Sequence, residues 1–306
     1  MITWEQQYLD LVQDILRNGD DRVDRTGVGT RAVFGRQMDI DLSQGFPAVT
    51  TKKLAWKAVV SELLWFIEGS TDERRLAEIL HGTRDPAKKT IWTDNAEASY
   101  WKPKARFEGD LGPVYGNQWR RWLSTKMMSS KSMEPDERIF HGCDVKLEPI
   151  DQLAQVVTKL KTNPTDRRMI ISAWNVAELN NVALPPCHMM AQFFVEKGRL
   201  SCSMYQRSVD TMLGLPFNIA SYALLVHLLA QVTDLKIGRL IMNLGDTHIY
   251  SNHLDGAKIQ LDRTPTQPPF LLLNPAIKDI DSFTMKDIGS LCDYNPQESI
   301  KMEMAV

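Results

Sequence analysis

The stretch "MMAQFFVEKGRLSCSMYQRS", residues 189–208, has the pattern of two strands joined by a tight turn. Apolar residues occupy both halves, and Glu196 to Arg199 supply the turn, where Gly198 suits a positive φ. "MIISAW" (169–174) indicates a short strand before this hairpin, and "RLIMNLGDTHIYSNHL" (239–254) indicates a strand followed by a helix. From residue 168 onward the sequence therefore predicts a β-rich region.

Three helices are predicted around these strands. The first runs from Thr3 as N-cap, with Gln6 in the capping-box position, to Gly19 as the stop signal. The segments 54–69 and 218–234 are apolar around most of their circumference, which predicts buried helices. Separate helices together with hairpin-linked strands indicate the α+β class. We expect one domain over residues 1–306, with loop insertions near 97–108 and 125–146.

The composition is that of a soluble globular protein, with 43% hydrophobic and 24% charged residues. A formal net charge of −2 gives no reason to expect binding to nucleic acid or to a membrane surface. The N-terminus lacks the cationic start of a signal peptide, and no apolar run approaches the length of a membrane span. The four cysteines (143, 187, 202 and 292) show no CxxC spacing, so we expect neither a disulfide scaffold nor a zinc site. We therefore expect a cytoplasmic location, which would be the host cytoplasm if the protein is viral.

Cys187 follows two prolines and precedes a strand, and two interpretations of it are open. It could be an inert buried thiol, which is the commoner case for such a residue, or a nucleophile whose pKa nearby cations lower. Arg207, Ser208 and Asp210 interrupt an apolar alternation and could face one cavity. Glu62 lies in the middle of an apolar helix, where a carboxylate needs partners or a shifted pKa.

Other polar residues also allow a structural and a functional interpretation. Asn218 could cap a helix or bond the edge of a planar base, and His248 and Tyr250, alternate residues of a strand, share one face. Four arginines near turns or strand ends suit phosphate oxygens, although each alone could be a solvated surface charge: Arg25, Arg167, Arg168 and Arg207.

The combination of motifs resembles the thymidylate synthase family along essentially the whole chain apart from the two insertions. The motifs, in order, are "DRTGVGT", "ELLWFIEGST", "GDLGPVYGNQWR", "DRRMIISAWN", "LPPCH", "YQRSVDTMLGLPFNIASYALLVH", "GDTHIYSNH" and the terminal "MAV". The resemblance implies a mixed β-sheet flanked by helices, with the sheet forming a homodimer interface. It also implies methylation of carbon 5 of dUMP with 5,10-methylenetetrahydrofolate as co-substrate and no metal, giving dTMP and dihydrofolate.

By this resemblance Cys187 attacks carbon 6 of uracil, and Arg207 both lowers the thiol pKa and holds the phosphate. The other phosphate ligands would be Arg25 and Ser208 of the same chain, with Arg167 and Arg168 of the partner subunit. The remaining nucleotide contacts implied are Gln206, Asn218 at the uracil edge, and His248 and Tyr250 at the ribose.

Further roles follow from the same resemblance. Glu62 would organise waters for proton transfer, Tyr115 and His188 would assist removal of the carbon 5 proton, and Asp210 would hold the pterin and take part in catalysis. Lys52 would meet the glutamate tail of the folate. The residues that would enclose the folate are Ile91, Trp92, Leu184, Gly214, Phe217, Ala305 and Val306.

The sequence departs from the family pattern mainly on the expected folate side. Asn95 stands where a second tryptophan is usual, Ala55 and Gln297 replace histidines, and Met189 to Ala191 replace aromatic residues. A wetter pocket could pass the intermediate to water, so a hydroxymethylase that makes 5-hydroxymethyl-dUMP and tetrahydrofolate is the alternative. A non-catalytic RNA-binding relative and a generic cysteine hydrolase fit less well, since the nucleophile is present and no basic face or oxyanion hole is indicated.

Overall fold

A computed structural model describes residues 3–24, 27–127 and 145–304. Its main sheet has six strands in the order β1-β2-β8-β7-β6-β5. Neighbouring strands are antiparallel except β7 and β8, which are parallel, so the sheet is mixed as the resemblance implies. The strands are β1 Asp20–Arg22, β2 Thr30–Asp41, β5 Ile170–Ser172, β6 His188–Glu196, β7 Arg199–Asp210 and β8 Lys236–Tyr250, with a separate hairpin of β3 Trp122–Met127 and β4 Val145–Ile150.

Helices cover one side of this sheet. The helix α1 packs against β2, α7 packs against β7 and β8, and α2 packs on α7, α3 and α5. The helices are α1 Trp4–Asn18, α2 Trp56–Glu68, α3 Glu73–His81, α4 Thr93–Glu97, α5 Tyr115–Arg121, α6 Gln152–Thr162, α7 Gly214–Val232 and α8 Leu254–Leu261. Short 3-10 turns lie at Leu42–Gln44, Lys102–Lys104, Val176–Asn181, Ser251–His253 and Ile280–Ser282. The α+β class is therefore confirmed.

The local signals at the first helix and at the hairpin act as predicted. The Thr3 hydroxyl accepts the Gln6 amide at 3.2 Å, and α1 ends before Gly19. The Gln6 side chain, however, donates to Asp10 at 2.9 Å, so only half of the capping box forms. In the hairpin turn Lys197 and Gly198 have φ of 51° and 72°, the two positive values that a tight two-residue turn requires.

Helix α7 begins four residues before the predicted start at Asn218. Pro216 lies in its first turn, where a missing N–H costs nothing because that donor has no partner within the helix. The interpretation of Asn218 as a helix cap is therefore wrong, since Asn218 lies in the second turn. Within the described ranges α7 has the length and composition of a membrane span, so the expectation that no apolar run approaches that length is wrong, but 78% of that window is buried, as in the core helix of a folded domain.

The two expected loop insertions are only partly loops. The first, 97–108, begins with the last residue of α4 and includes the 3-10 turn Lys102–Lys104. At the second, 125–146, the prediction is wrong at both ends, because 125–127 and 145–146 extend β3 and β4. Backbone pairing with the neighbouring strand holds these ends although their polar sequence lacks a period. Residues 128–144 lie outside the described ranges.

A buried carboxylate ties α1 to the chain segment that leads into the site. Glu5 accepts hydrogen bonds from the backbone amides of Thr50 and Thr51 at 2.8 and 2.7 Å, and from both threonine hydroxyls. Glu5 is 2% exposed, so these four donors replace the water that an ionised carboxylate would otherwise keep. The segment so fixed continues directly into Lys52.

Replacing Glu5 with alanine is expected to lower the free energy of unfolding by about 3 kcal/mol, because two buried amides lose their acceptor. Urea denaturation followed by circular dichroism measures the change. The matched control is Asp10→Ala on the exposed side of the same helix, which should stay within about 0.5 kcal/mol of the parent. Equal effects of the two substitutions would contradict the structural role given to Glu5.

Candidate active site

The expected catalytic residues other than Arg207 line one cavity of 510 Å³. Its wall is formed by α2, by the start of α7, by the adjoining ends of β6 and β7 and by residues 299–304. The site residues of the sequence analysis that line it are Lys52, Glu62, Ile91, Trp92, Tyr115, Leu184, Cys187, His188, Gln206, Ser208, Asp210, Gly214, Phe217 and Asn218. One cavity therefore brings together residues that are up to 166 positions apart, from Lys52 to Asn218.

The backbone of Cys187 is held from two sides. Its amide donates to the Tyr115 hydroxyl at 2.7 Å, and its carbonyl accepts the Arg207 amide at 2.8 Å. The thiol is half-buried and faces the cavity immediately before β6 begins. The pair of prolines before it restricts the approaching chain, because each fixes its own φ. A thiol held in this way has a defined direction of attack.

Arg207 supports the turn that carries Cys187. Its guanidinium donates to the carbonyls of Pro186 at 2.8 Å and Pro185 at 3.0 Å, and lies over the Trp174 ring at 5.2 Å. The sequence analysis gave Arg207 a role toward the thiol and the phosphate, and it missed this contact with the proline carbonyls. No local sequence signal identifies it, because it joins residues 21 positions apart through the sheet.

Glu62 is a buried carboxyl group that accepts a hydrogen bond from a buried indole. The Trp92 indole N–H donates to its Oε1 at 2.7 Å. Burial raises the pKa of Glu62 to about 7, and the hydrogen bond from Trp92 opposes this shift. A carboxyl group with a pKa near neutrality can both donate and accept a proton at physiological pH, which is what an acid–base catalyst needs.

His188 is a neutral side chain within an aromatic cluster. Burial lowers the pKa of His188 to about 3, so the imidazole stays uncharged near pH 7. Its ring stacks on Tyr115 at 4.0 Å, and its Nδ1 lies 3.0 Å from the Tyr222 hydroxyl. Burial also raises the pKa of Tyr115 well above its usual value. These groups can therefore position water and share hydrogen bonds without carrying charge.

Two side-chain amides meet at the inner end of the cavity. Gln206 Nε2 donates to Asn218 Oδ1 and to the Ser208 carbonyl, each at 3.1 Å. Gln206 is 2% exposed, and its Oε1 has no hydrogen-bond partner among residues 3–24, 27–127 and 145–304. Because the carbonyl of Ser208 requires a donor, the orientation of the Gln206 amide is fixed, and it in turn orients the amide of Asn218.

Asp210 and Lys52 lie where β7 passes into α7. Asp210 Oδ1 accepts the amides of Met212 and Leu213 at 3.0 and 3.1 Å. The Lys52 ammonium donates to the Met212 carbonyl, and burial lowers the pKa of Lys52 to about 8, with Asp210 opposing the shift. Lys52 is thus a buried part of the cavity wall, and its expected contact with a glutamate tail stays a prediction.

A second, more polar cavity of 310 Å³ adjoins the first and shares Ser208 with it. Arg207, His248 and Tyr250 line it, so the two alternate residues of β8 do face one site. Asp246 accepts from Arg22 at 2.6 Å and lies 2.9 Å from Nδ1 of His248. The sequence analysis missed Arg22 and Asp246, although the "GDTH" motif that contains Asp246 was a signal.

Some expected site residues are not part of these two cavities. Arg25, Ala305 and Val306 lie outside the described residues. Arg167 and Arg168 line neither cavity within the described part of this single chain, and Arg168 pairs with Asp166 at 3.1 Å. Among the described residues there is no group of three or more histidine, cysteine, aspartate or glutamate side chains that could hold a metal ion.

The departures from the family pattern fall in different places. Asn95 and Ala55 do line the first cavity, on the side expected for the folate. Gln297 does not line it, since its side chain donates to the Thr264 carbonyl at 2.9 Å. The sequence analysis also missed Ser299, Ile300, Met302 and Met304 as cavity residues, and the only signal was the terminal motif that follows them.

The fold and the cavity define an α+β protein with an enclosed thiol beside groups suited to acid–base chemistry. The sequence model described as thymidylate synthase matches residues 6–306, and the chain belongs to this family. It is 46% identical, over 306 aligned positions, to the bifunctional dihydrofolate reductase-thymidylate synthase of Zea mays, which covers 99% of this chain. The chain spans about half of that relative, 54% of its length.

The raised pKa of Glu62 implies that Glu62→Gln stabilises the protein above neutral pH. Below the usual pKa of 4.5 the carboxyl group is protonated in both folded and unfolded chains, so it costs nothing. As pH rises from 4.5 to about 7, the unfolded chain gives up this proton while the folded chain keeps it, so the free energy of unfolding falls by a total on the order of 3 kcal/mol and then stays level above about pH 7. Glutamine keeps an acceptor for Trp92 without that cost.

Urea denaturation at pH 4 and pH 8 measures this difference. We expect the variant to match the parent at pH 4 and to exceed it at pH 8. Glu97→Gln, which alters an exposed carboxylate, is the control and should show little difference at either pH. Loss of stability in Glu62→Gln at pH 8 would show that Glu62 is held as a well-solvated or well-paired carboxylate.

Proposed function

We propose that this chain catalyses the reductive methylation of dUMP at carbon 5, with 5,10-methylenetetrahydrofolate as co-substrate, to give dTMP and dihydrofolate. Membership of the thymidylate synthase family supports the reaction. The observation that carries it is the placement of Cys187, with its backbone held by Tyr115, in the same cavity as Glu62 and Asn218. A nucleophile, an acid–base group and a base-reading amide thus surround one site.

The nucleophile solves a chemical problem of this substrate. Carbon 5 of uracil is too weak a nucleophile to attack a methylene group. Addition of the Cys187 thiolate to carbon 6 turns carbon 5 into the nucleophilic carbon of an enolate. Carbon 5 bonds the methylene group, its proton is lost, and the bond between the methylene group and the folate nitrogen breaks, which leaves a methylene group double-bonded to carbon 5. Hydride from the folate then adds to this methylene group, and the displaced electron pair expels the Cys187 thiolate from carbon 6. The co-substrate supplies both the methylene group and the hydride that completes the methyl group, and so becomes dihydrofolate.

The polar residues divide the remaining tasks. The Asn218 amide, oriented by Gln206, offers a donor to the uracil O4 and an acceptor to N3–H, a pairing that cytosine does not match. Glu62, with its pKa near 7, exchanges protons at O4 through water. Neutral His188 and Tyr115 hold water for removal of the carbon 5 proton, since neither is charged near neutral pH.

The two cavities match the two kinds of ligand surface. The 310 Å³ cavity, with Arg207, Ser208, His248 and Tyr250, suits the phosphate and sugar of the nucleotide. The 510 Å³ cavity has apolar walls from Trp92, Leu184 and Phe217 that suit the rings of a folate, and its fixed amides and carboxylates suit their polar edges. Apolar walls exclude water. This favours transfer of hydride, rather than addition of water, to the methylene group on carbon 5, and thus dTMP over 5-hydroxymethyl-dUMP.

We also propose that the exposed face of the main sheet forms a homodimer. Met190 and Tyr205 are paired across β6 and β7, and with Phe194 they are 38%, 38% and 63% exposed on that face. Such an apolar patch on a sheet is typical of a protein interface. Gln192 of the same face donates to the Arg167 carbonyl at 3.2 Å, and this closeness of the two arginines to the proposed interface supports a role for Arg167 and Arg168 at a partner's phosphate cavity.

A cytoplasmic location is part of the same proposal, the host cytoplasm if the protein is viral. The chemistry needs Cys187 as a reduced thiolate, and a reducing compartment keeps it so. The slightly negative formal net charge of −2 gives no reason to expect nucleic acid or a membrane surface as a partner.

Product analysis tests the proposed reaction. With dUMP and 5,10-methylenetetrahydrofolate we expect dTMP by mass spectrometry and an equal amount of dihydrofolate by absorbance. Cys187→Ala should abolish turnover because no nucleophile remains, whereas Cys292→Ala, which lies outside the cavity, should retain it. 5-Hydroxymethyl-dUMP without dihydrofolate would identify a hydroxymethylase instead, and full activity of Cys187→Ala would refute the mechanism.

Mixed dimers test the shared site. Neither Cys187→Ala nor the double variant Arg167→Ala, Arg168→Ala should be active alone. A purified mixed dimer contains one intact site if the arginines act across the interface, so we expect about half of the parent activity. If the arginines serve their own chain, both sites of the mixed dimer carry a defect and no activity returns.

A further inference from the structure

The C-terminal segment, residues 299–304, forms part of the wall of the larger cavity. Ser299, Ile300, Met302 and Met304 line it, yet the segment contains neither helix nor strand. Ser299, Lys301, Glu303 and Met304 are exposed, and only Ile300 and Met302 are partly buried, so burial of its own side chains holds the segment only in part. Its position must therefore depend on contacts with a neighbouring element.

Those contacts come from the turn that follows β8. The Nε2 atom of His253 lies 2.6 Å from the Glu303 carbonyl, and the Asn252 side chain donates to the same oxygen at 3.3 Å. Gly256 leaves room for the segment, because a Cβ there would lie 3.0 Å from the Met302 sulfur and 3.3 Å from Ile300. One short stretch, 252–256, thus bonds the segment at the Glu303 carbonyl and leaves space for it beside Met302 and Ile300.

His253 is the buried member of this contact. Its side chain is 0% exposed, although the carbonyl that it bonds belongs to an exposed residue. A carbonyl can only accept, so Nε2 is the donor of this hydrogen bond. The Nδ1 atom of His253 has no hydrogen-bond partner in the described parts of the chain. A buried polar atom without a partner lowers the free energy of unfolding.

The same ring also contacts the nucleotide side of the site. His253 packs edge-to-face on Tyr250 with ring centroids 5.7 Å apart, and Tyr250 packs in the same way on His248 at 5.2 Å. His248 and Tyr250 line the smaller, polar cavity. An unbroken series of three rings therefore connects the polar cavity to the backbone of the segment that walls the larger one.

We infer that His253 is a positioning residue that fixes the C-terminal wall of the larger cavity through the Glu303 carbonyl, and joins that wall to the rings of the smaller cavity. The structural part of this inference, that His253 holds the C-terminal segment in place, does not depend on which reaction the protein catalyses. Its kinetic consequence rests on the proposed function, because a displaced wall should weaken binding of the folate more than that of the nucleotide.

Peroxide oxidation of Met302 tests the structural part on the unliganded full chain. His253→Leu removes the donor while keeping an apolar volume, and we expect Met302 to be oxidised about three- to tenfold faster, since one lost hydrogen bond increases local opening by that order. Met304, already exposed, serves as the internal reference in the same peptide. His253→Gln, which can place an amide nitrogen near Nε2, should restore the slow rate.

The matched control is His227→Leu. His227 is also largely buried and bonds a backbone carbonyl, that of Ala223 at 2.8 Å, but it lies outside both cavities. It should leave the oxidation of Met302 unchanged. Equal oxidation in His253→Leu and the parent, or the same increase in His227→Leu, would overturn the inference whatever the protein catalyses.

Steady-state kinetics test the consequence. For His253→Leu we expect KM for 5,10-methylenetetrahydrofolate to rise about tenfold while KM for dUMP changes less than about twofold. Equal increases in both KM values would contradict the assignment of this wall to the folate. Absence of turnover in the parent would refute the proposed function alone, and the oxidation result would still stand.

Discussion

The hydrogen bond from the Cys187 amide to the Tyr115 hydroxyl, 2.7 Å long, joins the helical layer to the sheet beside the Cys187 thiol. Tyr115 can take this position because it stacks on His188 and packs against Phe66 of α2, at 4.0 and 5.0 Å between ring centroids. Hydrophobic packing of α2 and α5 thereby sets the place of a residue 72 positions further along the chain. The packing of the core therefore also positions the site, and the rigid aromatic cluster holds the backbone that carries the thiol.

Burial then determines the charges around that thiol. It raises the pKa of Glu62 to about 7 and lowers that of His188 to about 3. Of these two groups in the cavity with Cys187, the carboxyl group therefore has the higher pKa, whereas an imidazole usually does. The carboxyl group becomes the one that exchanges protons near neutrality, and the imidazole stays neutral. Arg207, a cation that suits a phosphate, lines the adjoining polar cavity together with the solvent-exposed pair of Arg22 and Asp246.

Local signals predicted much of this fold, and contacts distant in sequence explain what they missed. Thr3 and Gly198 act within a few residues of themselves, so α1 and the hairpin were predicted correctly. The early start of α7 was missed because Gly214 and Pro216 look like loop residues although a first turn tolerates both. The family resemblance supplied most cavity residues, but the contact of Arg207 with the proline carbonyls and that of His253 with Glu303 exist only through tertiary packing.

The central claim is that Cys187 is the nucleophile, and the most direct measurement is to locate the covalent bond. The protein is incubated with 5,10-methylenetetrahydrofolate and dUMP carrying fluorine at carbon 5, which cannot leave as a cation, so the adduct should accumulate. Digestion and mass spectrometry should then find one nucleotide on the peptide that contains Cys187. A nucleotide attached to Cys202, Cys292 or any other residue, or an unmodified protein that still forms dTMP from dUMP, would contradict the account.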